Sequence, residues 1–385
     1  MKFTISADRL RAAVEACAAI ALGGQRPQLE ATLIDVLDSG VVEIAATNQN
    51  DALWFRIAGA TKCEPGKLFT PSANLFRTVK LAGDRDLTVQ WDGGGRAKLS
   101  FADVKVGLPV EPPEDFPAMQ RFDPSAPFVT LTMPALSEMF KRVNFSVMSD
   151  FKTRTLAGVN VEIRPKSLRM TATDGVRMAT VERDIENQDG KRASAIVPPI
   201  TPKFLKTFTD DAEVEGEDGV VEAVEARRDL VDVQVTEGSF RLRGSRGELT
   251  RRTLVGTYPD YDLEKQLSAT YQSRIDVESK LLKELLETAS LIKANGATTC
   301  EFRWSESGLE VDAASGLDGA VSAKLPLPWK FPPFKIRLDP GLLSDAVKVC
   351  EADKVELAFG TDLQPALLRE VDDGLLYLYC ISPKV

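Results

Sequence analysis

No histidine occurs anywhere in the chain, and that absence removes the Ser-His-Asp and Cys-His nucleophile systems together with every zinc site that needs an imidazole. Carboxylates are plentiful, yet no acidic pair stands in an apolar setting that would lift a carboxyl pKa toward acid-base work. Gly93-Gly94-Gly95 lies between strand-like runs, with no helix after it to aim an N-terminus at a phosphate. Gly66-Lys67 lacks both the preceding spacing and the following Ser or Thr of a nucleotide cradle. The five cysteines, Cys17, Cys63, Cys300, Cys350 and Cys380, form no CxxC pair and mostly sit in apolar runs, as buried reduced thiols do. The chain reads as a binding protein, with no catalytic residue, metal or cofactor expected.

What positions its side chains is a repeated unit. The stretch TATDGVRMATV, residues 171–181, reads as strand, tight turn and strand, because β-formers flank an Asp174-Gly175 pair suited to positive φ. Weaker relatives stand at AATNQNDALWFRI from Ala45 and VDAASGLDGAVSAKL from Val311. Three segments run from a short strand into an amphipathic helix: MKFTISADRLRAAVEACAAIA, PFVTLTMPALSEMFKRVNFSVM and QSRIDVESKLLKELLETASLIKA. Leu136, Met139, Phe140, Val143 and Val147 share one helix face in the second, and Leu282, Leu285, Leu286 and Ala289 do so in the third. Each is followed by a second strand and helix, with Pro71, Pro202 and Pro340 near the helix starts, and then by alternating strands. The expected fold is α+β, with helices at 7–21, 71–81, 134–147, 201–208, 280–293 and 339–350. Three similar domains follow, at 1–126, 127–270 and 271–385, each with two helices packed on β-sheets.

Charge is unevenly spread over this plan. The six helices carry twelve Lys and Arg against seven Asp and Glu, a net +5, so the rest of the chain carries −14 against −9 for the whole. Helices more basic than acidic surroundings suit a polyanion. Residues 210–229 hold nine acidic side chains against two basic ones and read as an exposed, solvated insertion. No stretch is apolar enough to span a membrane, and the first residues lack the order of a signal peptide, so a cytoplasmic location is expected.

In this order, the motifs resemble those of the bacterial DNA polymerase III beta subunit family, the sliding clamps. The resemblance runs the full length. It rests on the opening MKF strand, Leu22-Gly23-Gly24-Gln25-Arg26-Pro27, Asp115-Phe116-Pro117, Leu156-Ala157-Gly158-Val159, Ala172 to Met178 and Tyr258-Pro259-Asp260-Tyr261. It implies a DNA-clamp fold in a head-to-tail dimeric ring around duplex DNA, without sequence preference. The ring would be opened by an ATP-driven loader and would tether the replicative polymerase and repair enzymes through short linear peptides.

By position, the resemblance places the partner-peptide pocket at Leu156, Thr173, Gly175, Val176, Arg177, Met178, Pro259, Cys380, Ser382, Pro383 and Lys384. It gives DNA contacts to Gln25, Arg26, Lys152 and Arg154 in loops and to Arg77, Lys80, Lys141, Arg142, Lys203 and Lys206 on the basic helices. The homodimer contact falls to Val106 and Leu108 against Leu291 and Ile292. Ser382-Pro383-Lys384 is more polar than the Met-Pro-Met-like tail usual in the family, and Val176 stands where His is common, which implies a different peptide preference. The competing reading is a β-rich, three-domain protein-binding scaffold that never encircles DNA.

Overall fold

Strands built from alternating apolar residues dominate the molecule, and every pairing between them is antiparallel among the described residues. The computed structural model describes residues 1–21, 29–111, 113–149, 154–187, 190–209, 228–259, 271, 273–291, 299–315, 319–372 and 374–384. Two units are distinguished: residues 1–137 with 200–253, and residues 138–199 with 254–385.

In the first unit, an eight-stranded sheet runs in the order Val129–Thr132, Leu230–Thr236, Ser239–Arg243, Gly247–Arg252, Asp51–Ile57, Val42–Thr47, Ala31–Val36, Gly66–Pro71. Its first four strands come from the second sequence repeat and its last four from the first. The seam is the pairing of Gly247–Arg252 with Asp51–Ile57, where Arg251 meets Asp51 in two bonds of 2.7 and 2.9 Å. The connector that follows the first repeat is tied to the same sheet. Phe116 meets Phe69 edge-on at 5.5 Å, and the Arg121 guanidinium lies 4.1 Å over Trp54 while bonding Glu248. A separate five-stranded sheet has the order Thr61–Glu64, Lys2–Ser6, Asp86–Gln90, Arg96–Phe101, Val104–Pro109.

The second unit repeats the scheme. Its eight-stranded sheet has four strands of the second repeat, Ala193–Val197, Val159–Ile163, Ser167–Thr173 and Arg177–Asp184. Beside them lie four of the third, Leu375–Ile381, Ala366–Asp372, Lys354–Phe359 and Ser273–Glu278. A four-stranded sheet has the order Gly319–Leu325, Gly308–Ser315, Cys300–Ser305, Phe334–Leu338.

Among the described residues, six helices stand where the sequence predicts them: α1 (Ala7–Ile20), α2 (Ser72–Ala82), α3 (Met133–Val143), α4 (Pro202–Leu205), α5 (Ser279–Ala289) and α6 (Pro340–Lys348). Their predicted apolar faces are buried: Leu136, Met139, Phe140 and Val143 on α3, and Leu282, Leu285, Leu286 and Ala289 on α5. Pro202 and Pro340 open their helices, where a missing N–H costs nothing, and the Asp339 carboxylate caps α6 by accepting from Gly341 and Leu342. Pro71 is the cap before α2 rather than its first residue. Helices α3 and α5 each end four residues earlier than expected. The chain leaves α3 at Val143 through a 3-10 turn, Asn144–Ser146, so Val147 is extended and off the helix face, as the weak helix formers Asn144, Phe145 and Ser146 favour. Helix α5 stops at Ala289.

Candidate functional site

The hairpin at residues 171–181 is held by its own side chains. Thr173 Oγ1 donates to the Arg177 carbonyl at 2.6 Å and accepts from Gly175 N–H, while Asp174 Oδ1 accepts from both Val176 N–H and Arg177 N–H at 3.0 Å. Gly175 takes φ +88° at the turn, a conformation open to glycine. The C-terminal strand pairs with this hairpin, Ile381 against Arg177 and Cys380 against Met178. Beyond it the tail is fixed by two backbone bonds, Ser382 N–H to the Val176 carbonyl and Lys384 N–H to the Arg337 carbonyl, each 2.9 Å.

The hairpin at Thr47 in the first unit has the same plan. Thr47 donates to the Asp51 carbonyl and accepts from Gln49 N–H, Asn48 accepts from Asn50 and Asp51, and Arg252 N–H reaches the Asn50 carbonyl.

Met178 is buried with Ala358, Leu367 and Leu378, against which Tyr271, Leu376 and Cys380 pack. Val176 stays exposed at the turn, and Pro259, Ser382 and Pro383 are half-buried while Lys384 is exposed. Burial pushes the Cys380 thiol up to about 12 and that of Cys300 to about 11; Cys17 and Cys350 are raised further, whereas Cys63 is half-exposed on an edge strand. A native-state thiol titration at pH 8 is therefore expected to count one reactive cysteine and none in a Cys63→Ser variant. Rapid labelling of Cys380 would show that the tail does not close over it.

Arg177 does not offer a free cation to a ligand. Its guanidinium bonds Asp174 at 3.0 Å, Asp345 of α6 at 2.7 Å and the Phe145 carbonyl at 2.7 Å, and lies 5.3 Å over the Phe145 ring. Burial opposes its charge, but these acceptors outweigh that and hold its pKa above the ordinary value. Arg177 thus fixes hairpin to helix. Leu156 lies in the 3-10 turn Arg154–Ala157, its carbonyl accepting from Met148 N–H at 2.9 Å. Beside that turn is an apolar cleft of about 630 Å³ lined by Asn144, Val147, Met148, Ser149, Ala157, Pro198, Pro199 and Leu254. Sequence reasoning missed it, and the signal for it was the apolar Val147-Met148 pair just past a helix end, facing a Pro-Pro step.

The expected DNA contacts divide. Arg77, Lys80, Lys203 and Lys206 are exposed on α2, α4 and the turn after α4, with Lys203 3.0 Å from Glu15. Lys141 is exposed and pairs with Glu351 at 3.3 Å. Arg142 is the correction: it is 1% exposed and bonded to Glu138 and Glu370, so no phosphate can reach it. Gln25, Arg26, Lys152 and Ile292 lie outside the described residues, as does most of the acidic stretch 210–229, and of Arg154 only the backbone is described. Along the strand Val104–Pro109, exposure falls from 37% at Val104 through half-buried Val106 to 4% at Leu108, whose side chain belongs to its own unit's core; Leu291 is 74% exposed. Among the described residues no cluster of three or more metal-ligating side chains occurs, and no helix is long and apolar enough to cross a membrane.

Residues 130–260 match the family model described as DNA polymerase III beta subunit, central domain. A beta sliding clamp of Vibrio cholerae is 20% identical, with 100% of this chain and 99% of that one aligned. One of Synechocystis sp. is 28% identical over 78% of this chain and 74% of its own. Crystal structures of a DNA polymerase sliding clamp from Bacillus subtilis and of the beta subunit from DNA polymerase of Streptococcus pyogenes superpose with TM-scores of 0.85 and 0.86, at 20% and 18% identity. Each covers 100% of this chain, and 99% and 100% of its own.

Proposed function

We infer function from the premise that this chain belongs to the DNA polymerase III beta subunit family, the beta sliding clamps: it is a DNA polymerase processivity factor, a non-catalytic subunit that supplies attachment rather than chemistry. The observation that carries the finer reading is the sharing of sheets. Each eight-stranded sheet takes four strands from one repeat and four from the next, so successive repeats join edge to edge. The five-stranded and four-stranded sheets are the halves left over. Their edge strands Val104–Pro109 and Gly319–Leu325 pair with no further strand among the described residues, and an open edge is a row of unpaired N–H and C=O groups. Because the two edges differ, joining one to the other in a second copy is a heterologous contact that closes after two chains. The result is a ring of six domains, with Val106 and Leu291 at the joint.

Duplex DNA would run through that ring. Exposed Arg77, Lys80, Lys141, Lys203 and Lys206 meet phosphates without reading bases, which permits sliding, and topology rather than affinity retains the ring. Polymerase, ATP-driven loader and repair enzymes dock through short peptides at the seam of hairpin and tail, in the cytoplasm. The test is retention on nicked circular DNA after loading. The protein is expected to stay on the intact circle and leave once the circle is cut, and in solution to have twice the chain mass. Equal loss from circular and linear DNA would favour the scaffold that never encircles DNA.

A further inference from the structure

The geometry points to a cationic shelf beside the tail that selects partner peptides with acidic residues flanking their docking motif; this rests on the placement of the docking site at the hairpin–tail seam. The shelf is the solvent face of the four-stranded sheet. Its two inner strands carry one cation, Arg303, which pairs with Asp312, with Glu301 at 3.3 Å and with Glu310 at 3.7 Å, while Lys324 of the far edge strand bonds Glu310 at 2.8 Å, so every cation there is matched by carboxylates. The edge strand Phe334–Leu338 is different. Lys335 and Arg337 stand across from Arg303 and Glu301 with side chains 70% and 63% exposed. Among the described residues their one acidic neighbour is Glu301, at 3.9 and 4.0 Å, a carboxylate already engaged by Arg303.

The tail docks on this same edge through Lys384 N–H and the Arg337 carbonyl, bringing exposed Lys384 alongside. Two cations therefore share one committed carboxylate, and exposed Lys384 is held beside them, at the point where a peptide leaving the tail would pass. In a chain of net charge −9, this local excess would favour acidic flanks over basic ones and would steer their approach. The polar tail, Ser382-Pro383-Lys384, fits the same preference, since charge and hydrogen bonding take over from an apolar wall.

The experiment compares three fluorescent peptides sharing one Gln-Leu-x-Leu-Phe-type motif: one with neutral flanks, one with two Asp before the motif, one with two Asp after it. Exposed ion pairs are individually weak, so one acidic peptide is expected to bind about fivefold more tightly than the neutral one at low salt. The advantage should vanish near 0.5 M salt, where the screening length falls to roughly 4 Å. A Lys335→Gln/Arg337→Gln double variant, which keeps the backbone bond to Lys384, should remove the advantage and leave neutral-peptide affinity unchanged. Equal binding of all three peptides by the unaltered protein, or an advantage that survives in the double variant, overturns the shelf while the docking site stands. Failure of every peptide to bind overturns the docking site itself, and the shelf with it. A short-duplex titration weakened by the double variant, with peptide binding unchanged, would assign the shelf to DNA and also overturn the inference.

Discussion

Replacing Glu370 by Leu is expected to destabilise the second unit by about 3–5 kcal/mol, the usual consequence of leaving a buried charge uncompensated. Glu370 is 2% exposed as a residue and its side chain is fully buried. It accepts from Arg142, whose side chain is 1% exposed, and from the N–H groups of Glu351 and Ala352 at 2.8 and 2.7 Å. Arg142 also bonds Glu138 and lies 5.3 Å over the Tyr377 ring, while Glu138 reaches Arg183 at 3.2 Å. A helix of the second repeat is thereby bolted to a strand of the third. Removing the carboxylate leaves a guanidinium with half its partners and two backbone donors with none.

The companion Arg142→Met/Glu370→Leu variant should recover part of the loss, because it removes the stranded charge, although the two N–H groups remain unpaired. Denaturant midpoints supply the comparison. A double variant less stable than the single one would contradict this account.

Acid carries the same signature. Burial raises the Glu370 carboxyl, but Arg142 and the two N–H groups outweigh it and hold its pKa below the ordinary carboxylate value. A depressed folded-state pKa contributes stability that is present above the unfolded value of about 4.3 and lost as pH falls through the folded one. Stability of the unaltered protein should therefore fall more steeply below about pH 4 than that of the Glu370→Leu variant.

Deleting Ser382 to Val385 should weaken binding of a fluorescent Gln-Leu-x-Leu-Phe-type peptide by roughly thirtyfold, the effect of removing about 2 kcal/mol of a docking wall. The deletion removes the Ser382 bond to Val176 and the Lys384 bond to Arg337. Pairing of Ile381 and Cys380 with the hairpin remains, so the protein should stay folded and dimeric. Weak binding to a short duplex, and its salt dependence, should hardly change, since the exposed basic helices keep their charges. Unchanged peptide binding by the truncated dimer would move the docking site elsewhere. Parallel loss of duplex binding would show that the two surfaces are not separate.

The features legible in the sequence are those fixed by neighbours along the chain. The periodicity of Leu282, Leu285, Leu286 and Ala289 places all four in the core, and the Asp174-Gly175 pair marks a turn where Gly175 has positive φ. What local pattern cannot carry is long-range pairing. Arg142 reads as one more basic helix residue because Glu370, its acceptor, is 228 positions away. The family resemblance puts Arg177 in the peptide pocket, but it cannot show that Asp345, 168 positions away, holds its guanidinium. Val147 fits the helical period of α3, but the weak helix formers before it end the helix and turn it toward the cleft. Nor does any single repeat announce that its sheet is completed by the next one.

The matched hairpins at Thr47 and Thr173 bear on descent as well as on structure. Their bonding is the same position by position, down to the N–H of the neighbouring strand that reaches the turn carbonyl. The side chains at the seam are unrelated: Asp51 faces Arg251 in one, and Arg177 faces Ile381 in the other. Duplication of an ancestral segment would hand both copies the same turn and leave them free to diverge at the seam. Both hairpins are joints between repeats, but one seam is closed by an ion pair, whereas at the other the arginine turns to Asp345 of α6 and an aliphatic residue lies opposite, so an inherited turn does not dictate how its seam is closed.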